Sequence, residues 1–229
     1  MVSPRLRGAA VAVVCALALS SCVGPAHPGA AAQVGDVSIS DDTLQQNTSG
    51  FCELINTINQ AQQGTTPPIP MRTALLSALN TLVQGVALDQ LAQRNHVSVT
   101  DAEVEQWVRG LPIDLSNVPP DRLAETRATL QRVGRNTLVL DKLGRQAYQQ
   151  QNPGSTSAPS NQVQQLALAQ VNQYMNRIGV DTDPRSGQVL DTQSVPGTGS
   201  LSVAVSEEGI DAENVPDPNA DLPPGQACA

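Results

Sequence analysis

The sequence predicts a mainly α-helical fold with short strands pairing the N- and C-terminal ends of the chain. Three observations predict it. Apolar residues recur at three- and four-residue steps over several long stretches between Ser40 and Ile178. Strand-like alternation is confined to two short segments, Ala31 to Ser40 and Val180 to Leu190. The stretches between them carry turn chemistry, and no repeat of solenoid period appears.

Arg5 and Arg7 form a basic head, and Ala9 to Leu19 is an uncharged apolar run. That run is about half of the roughly 20 residues a spanning helix needs, which suits a signal peptide. It ends in Leu19-Ser20-Ser21-Cys22, a lipobox pattern of a branched apolar residue, two small residues and a cysteine. Small side chains fit a peptidase cleft, and only a thiol can form the thioether to diacylglycerol. Residues 1–21 are therefore expected to be a lipoprotein signal peptide, with Cys22 lipidated and the mature protein held at the outer face of a membrane. An ordinary signal cleaved near Ala30-Ala31-Ala32, with Cys22 lost, is the alternative. Residues 22–32, with Gly24, Pro25, Pro28 and Gly29, read as a flexible tether.

Val34, Val37 and Ile39 alternate around a Gly35-Asp36 turn and predict a strand or hairpin edge. Ser40 then caps a first helix, favoured by Asp41 and Asp42 at its positive end, that runs to about Gln63. Asn47-Thr48-Ser49-Gly50 weakens its middle enough for a break. A second helix, Met71 to Asn95, has a broad apolar face (Leu75, Leu79, Leu82, Val86) and is expected to be mostly buried. Thr100-Asp101-Ala102-Glu103 has capping-box spacing and opens a short third helix to about Arg109. After a loop from Pro112 to Pro120, a fourth helix covers Pro120 to Gln150, with Gly134 and Gly144 as weak points. A linker from Asn152 to Pro159 leads to a fifth helix, Ser160 to Ile178, with Val163, Ala167, Val171, Tyr174 and Met175 in one stripe. Gly179 ends it, and Val180 to Leu190 predicts a short strand able to pair with Val34 to Ile39. Residues 191–229 form an acidic, proline-rich tail.

Composition narrows the function. Without the signal peptide, 11 basic residues face 21 acidic ones, a balance of −10. That argues against nucleic acid and against docking on anionic lipid. Phe51, Trp107, Tyr148 and Tyr174 are the only aromatic residues, too few to line a sugar-stacking pocket. Lys142 is the single lysine beside 12 arginines, a bias that suggests a GC-rich genome such as an actinobacterium's. Cys15 falls in the signal and Cys22 is the lipid site, leaving Cys52 and Cys228 in an oxidising compartment. A disulfide joining them is expected, tying the last residues to the first helix. Two free thiols, or one bonded to a partner, remain the alternative.

Three segments resemble a known family. Ala30-Ala31-Ala32-Gln33-Val34-Gly35-Asp36-Val37-Ser38-Ile39-Ser40 is similar to the opening strand and helix entry of SurA-type chaperones and related parvulin proteins. Leu82 to Ala92 followed by Val97 to Val104 resembles their second helix and the start of their third. Val180-Asp181-Thr182-Asp183-Pro184-Arg185-Ser186-Gly187 resembles the close of lipoproteins that carry this domain. The resemblance covers about residues 30–190, and it implies a helical SurA N-terminal-like chaperone domain over residues 33–190. In the isomerase members a parvulin domain separates the fourth helix from the closing one. Here that interval is only Asn152 to Pro159, and the histidines such catalysis needs are reduced to His27 and His96. The resemblance thus implies the chaperone part without the isomerase, a cradle of helices that binds unfolded or secreted polypeptide.

No catalytic residue is named. His96 beside a capping box reads as a polar helix end. Asp181-x-Asp183 lacks the further ligands of a calcium loop and reads as a turn. Asn47-Thr48-Ser49 fits a glycosylation sequon but falls in a predicted helix. No phosphate loop or paired-cysteine zinc spacing occurs. The expectation is a non-enzymatic, lipid-anchored extracytoplasmic holdase, with no cofactor and no metal, partnering unfolded secreted proteins and, through its lipid, a membrane. An envelope scaffold with one dedicated partner and a divergent prolyl isomerase are the alternatives. The sequence does not single out the peptide-binding residues.

Overall fold

The computed structural model describes residues 29–61, 69–155, 157–183, 185–186, 188–190, 193–195 and 227–228. The predicted signal peptide, Cys22 and most of the acidic tail lie outside these residues.

The chain enters through a hairpin, β1 (Ala30–Val34) and β2 (Val37–Ser40). Gly35 has φ +61° as the first residue of the two-residue turn, where only glycine is unstrained. Its N–H donates to the Gly179 carbonyl over 2.9 Å, joining this turn to the end of the last helix. β3 (Val180–Thr182) pairs antiparallel with β1, Val34 opposite Val180, so the sheet order is β2-β1-β3. The expected joining of the two ends is present. The strand bonded to β3 is β1, and β2 takes the outer edge. The tether boundary moves: Ala31 and Ala32 are buried strand residues, because small side chains at these positions let the sheet sit directly on the helices.

α1 (Asp41–Ala61) starts where predicted, with Ser40 Oγ accepting from the Thr43 N–H at 3.1 Å. It runs without a break through Asn47 to Gly50. A Cβ on Gly50 would overlap Thr129 and the Glu125 carbonyl, so this glycine marks a close helix crossing. α2 (Met71–Arg94) buries Leu79, Val83, Ala87 and Leu88 and ends at His96, whose φ of +55° makes it the left-handed stop of the helix. α3 (Asp101–Arg109) carries the predicted capping box: Thr100 Oγ1 accepts from the Glu103 N–H, and the Glu103 carboxylate accepts from the Thr100 N–H. A 3₁₀ turn at Leu115–Asn117 interrupts the predicted loop.

α4 (Leu123–Gln151) is one unbroken helix. It begins three residues later than predicted, since the Pro119 carbonyl accepts from both the Arg122 and Leu123 N–H groups in a preceding turn. Gly134 and Gly144 do not break it. A Cβ on Gly134 would press into the Trp107 ring, and one on Gly144 would overlap the Val163 carbonyl, so both serve close packing. α5 (Ser160–Ile178) returns along α4 and seals the core with Val163, Ala167, Val171, Tyr174 and Met175. Tyr174 also donates to Gln90 at 2.9 Å and lies 5.0 Å beneath the Arg94 guanidinium, fixing α5 to α2.

A second hairpin, β4 (Gln188–Leu190) and β5 (Gln193–Val195), lies beside α2; β5 belongs to the segment expected to be tail. The chain end returns to the molecule, where the Cys228 N–H donates to the Ile69 carbonyl at 2.9 Å. Cys228 is disulfide-bonded to Cys52 of α1, with their Cα atoms 4.9 Å apart. No described helix is long and apolar enough to cross a membrane.

Candidate functional site

A cleft of about 780 Å³ opens where α2, α3 and α4 meet the N-terminal hairpin. α2 contributes Leu82, Gly85, Val86 and Asp89, a single helix face at three- and four-residue steps. α4 contributes Ala128, Gln131, Arg132, Arg135 and Asn136, α3 contributes Val104 between Asp101 and Glu105, and the hairpin brings Val37, Ser38 and Ile39. The floor is apolar: Ile39, Leu82 and Val104 are at most 6% exposed. Exposed and polar residues form the rim, among them Val37 at 39%, one of two large apolar side chains left exposed among the described residues.

Polar struts hold the α3 wall against α4. Arg135 Nη2 meets the Asp101 carboxylate at 2.5 Å while its Nη1 donates to the Val99 carbonyl at 3.1 Å. Gln131 donates to Glu105 at 2.6 Å. Lys142 Nζ reaches Glu103 at 2.6 Å and the Ser98 carbonyl at 2.7 Å. The lysine hydrogen bond, then those from Thr100, hold the Glu103 carboxyl down at about 2. Trp107 packs over Gly134 from the same helix, so α3 is clamped along its length.

Beneath the cleft lies a buried polar node. Asn47, 3% exposed, donates to the Ala78 carbonyl at 3.4 Å and accepts from Thr129 Oγ1 at 3.1 Å and Arg132 Nη1 at 3.0 Å. One amide thereby links α1, α2 and α4. Burial lowers the Arg132 pKa, opposed by the charge of Asp89. Asp89 is open to solvent at the mouth, yet flanking walls displace much of its water. Burial therefore raises its pKa, and the attraction of Arg135 and Arg132 does not cancel the effect.

Of the residues singled out from sequence, Cys22 lies outside the described residues. Cys52 and Cys228 are brought together, away from the cleft, with Met71 Sδ 3.6 Å from Cys52 Sγ. His96 stands at the α2 terminus and does not line the cleft. Asp183 accepts from the Arg185 backbone and guanidinium at 2.6–3.1 Å, which closes a turn. Asn47 of the sequon is the core node just described. Asp89, Arg132 and Arg135 were not anticipated. Their signal is helical phase: Asp89 continues the Leu82–Val86 face, and Arg132 and Arg135 follow Ala128 at steps of four and three.

A family model of the SurA-like N-terminal domain matches residues 7–115. Over those residues the chain is similar to the SurA-like N-terminal domain. This is a chaperone-type domain, in agreement with the family resemblance and the mainly helical fold. The matched SurA-like span takes in the hairpin and α1 to α3, whereas α4, which completes the cleft, follows it. No curated protein and no solved structure matches the chain.

Proposed function

We propose that this protein is a lipid-anchored, extracytoplasmic holdase or assembly factor that binds extended segments of unfolded exported polypeptides in the cleft, without catalysis. The observation that carries the reading is the cleft itself: an apolar floor of Ile39, Leu82 and Val104 beneath a hydrogen-bonding rim. Such a surface takes apolar side chains below and backbone polar groups above, with little demand for sequence. The edge position of β2, which contributes Val37, Ser38 and Ile39, favours an extended partner. The SurA-like domain supports the same class of client.

The fold also supports Cys22 as the processing site. Cleavage near Ala30-Ala31-Ala32 would remove the first half of β1, where Ala31 and Ala32 are buried in the core. Cleavage before Cys22 leaves the sheet whole and eight residues, Cys22 to Gly29, ahead of β1. Membrane fractionation and mass spectrometry of the mature N-terminus test the anchor; a soluble protein beginning after Ala30 would reject it.

Holdase activity is tested by light scattering from a reduced, aggregating client. The purified protein should suppress scattering at stoichiometric ratios for several unrelated clients. No suppression across such a panel would contradict the reading, and stable association with one folded partner alone would favour a dedicated scaffold.

A further inference from the structure

We propose that the cleft selects client segments in which a lysine or arginine stands among apolar residues, with Asp89 receiving the cation. This rests on the client-binding reading and names the chemistry of the segment bound.

Leu82, Gly85, Val86 and Asp89 occupy one face of α2, and all four line the cleft. The face that holds apolar side chains along most of its length thus ends in a carboxylate. A solvated helix face would place that charge where water surrounds it. Here the carboxylate stands in a concavity that removes part of its hydration.

The other charged groups of the cleft are already engaged. Arg132 donates to Asn47, Arg135 to Asp101 and the Val99 carbonyl, and Glu105 accepts from Gln131. Among the described residues Asp89 accepts no hydrogen bond and closes no ion pair. Burial outweighs the pull of both arginines on it, so its charge is under-compensated by the protein. A carboxylate in that condition gains more from an incoming ammonium or guanidinium than one in open water, because part of the solvent it would give up is already displaced.

The surroundings suit the rest of such a segment. Val86 and Leu82 lie within two turns of Asp89, with Ile39 and Val104 on the same floor, so apolar neighbours of the cation have places to go. The formal charge of the chain, −8, draws basic segments toward it and repels acidic ones. An anionic ligand is disfavoured, because both cleft arginines already hold partners.

Fluorescence anisotropy on the full chain tests this with three labelled peptides of one length and one apolar background, differing only in a central Lys, Met or Glu. The Lys peptide should bind about tenfold more tightly than the Glu peptide and several-fold more tightly than the Met peptide, the scale of one charge-assisted hydrogen bond. Its advantage should shrink as salt rises. In Asp89→Asn the ratio of Lys to Met affinity should fall to about one, and Asp89→Glu should restore part of it. Equal wild-type affinities for Lys and Met peptides, or a ratio unchanged in Asp89→Asn, would overturn the assignment while leaving client binding intact. Failure of all three peptides to bind the wild type would overturn both.

Discussion

Arg132 Nη1 donates a hydrogen bond to Asn47 Oδ1 across 3.0 Å, tying a cleft-lining cation to an amide 3% exposed in the core. The bond is intelligible only with its neighbours, because the same Asn47 side chain also satisfies Thr129 and the Ala78 carbonyl. Asn47→Ala removes three partners at once and leaves buried polar groups without them. The expected cost is about 1–3 kcal/mol, the penalty for stranding buried polar groups. Urea unfolding checks it, through a lower midpoint at an unchanged slope.

The glycines of α4 give a second prediction. Alanine is intrinsically better than glycine in a helix by about 1 kcal/mol. At Gly144 that gain is overridden, because a Cβ would overlap the backbone carbonyl of Val163 on α5, which cannot move aside. Gly144→Ala should destabilise by about 1–3 kcal/mol, as overpacking does. Gly85→Ala serves as the contrast. There the nearest atom is Asn136 Oδ1 at 3.2 Å, the end of a side chain that can yield. Its thermal midpoint should stay close to that of the wild type, and equal losses at both positions would refute the packing argument.

These positions also show what the sequence makes legible. The five helices could be read from period and caps, since apolar spacing and the Thr100–Glu103 box act locally. The joining of the two chain ends was readable from two short alternating segments, now β1 and β3. The role of glycine was not. Gly50, Gly134 and Gly144 read as weak points along a single helix, and their use appears only when a second helix crosses. The cleft was hidden for a related reason. Leu82 and Val86 belong to an apolar face most of which is core, and only the third dimension shows which part stays open. Asp89 carried a usable signal, a charge in the phase of an apolar stripe, but the two arginines whose charges act on it stand on α4, more than 40 residues away in sequence.

Glu103 supplies the pH dependence. Its carboxyl is held down at about 2 by Lys142 and Thr100, below the ordinary value of 4.5. A depressed carboxyl contributes stability that is fully present above its unfolded pKa and is lost as pH falls toward the folded one. The wild type should therefore melt higher than Glu103→Gln at neutral pH. The gap should narrow from about pH 4.5 downward and close near pH 2. Because the pair with Lys142 is partly exposed, salt should narrow it as well. Asp89 has the opposite sign: its raised pKa means that the charged form costs stability at neutral pH, so Asp89→Asn should melt no lower than the wild type. Thermal melts across pH check both variants together.

The bond between Cys52 and Cys228 closes a loop of 176 residues in sequence separation. Chain-entropy reasoning gives roughly 5 kcal/mol as the upper guide to its contribution. A Cys52→Ser, Cys228→Ser variant should unfold at lower urea, and non-reducing peptide mapping of the wild type should recover the two cysteine peptides as one species. Both thiols alkylating without reductant would contradict the bond.

The central claim is that an unfolded chain lies in the cleft, and site-specific photo-crosslinking to one purified, reduced client tests it most directly. A photoreactive residue in place of Val37, on the cleft rim, should capture the unfolded client and lose that capture when the client is refolded. The same group in place of Gln164, exposed on α5 and outside the cleft, should capture little. Equal capture at both positions, or none at Val37, would contradict the account.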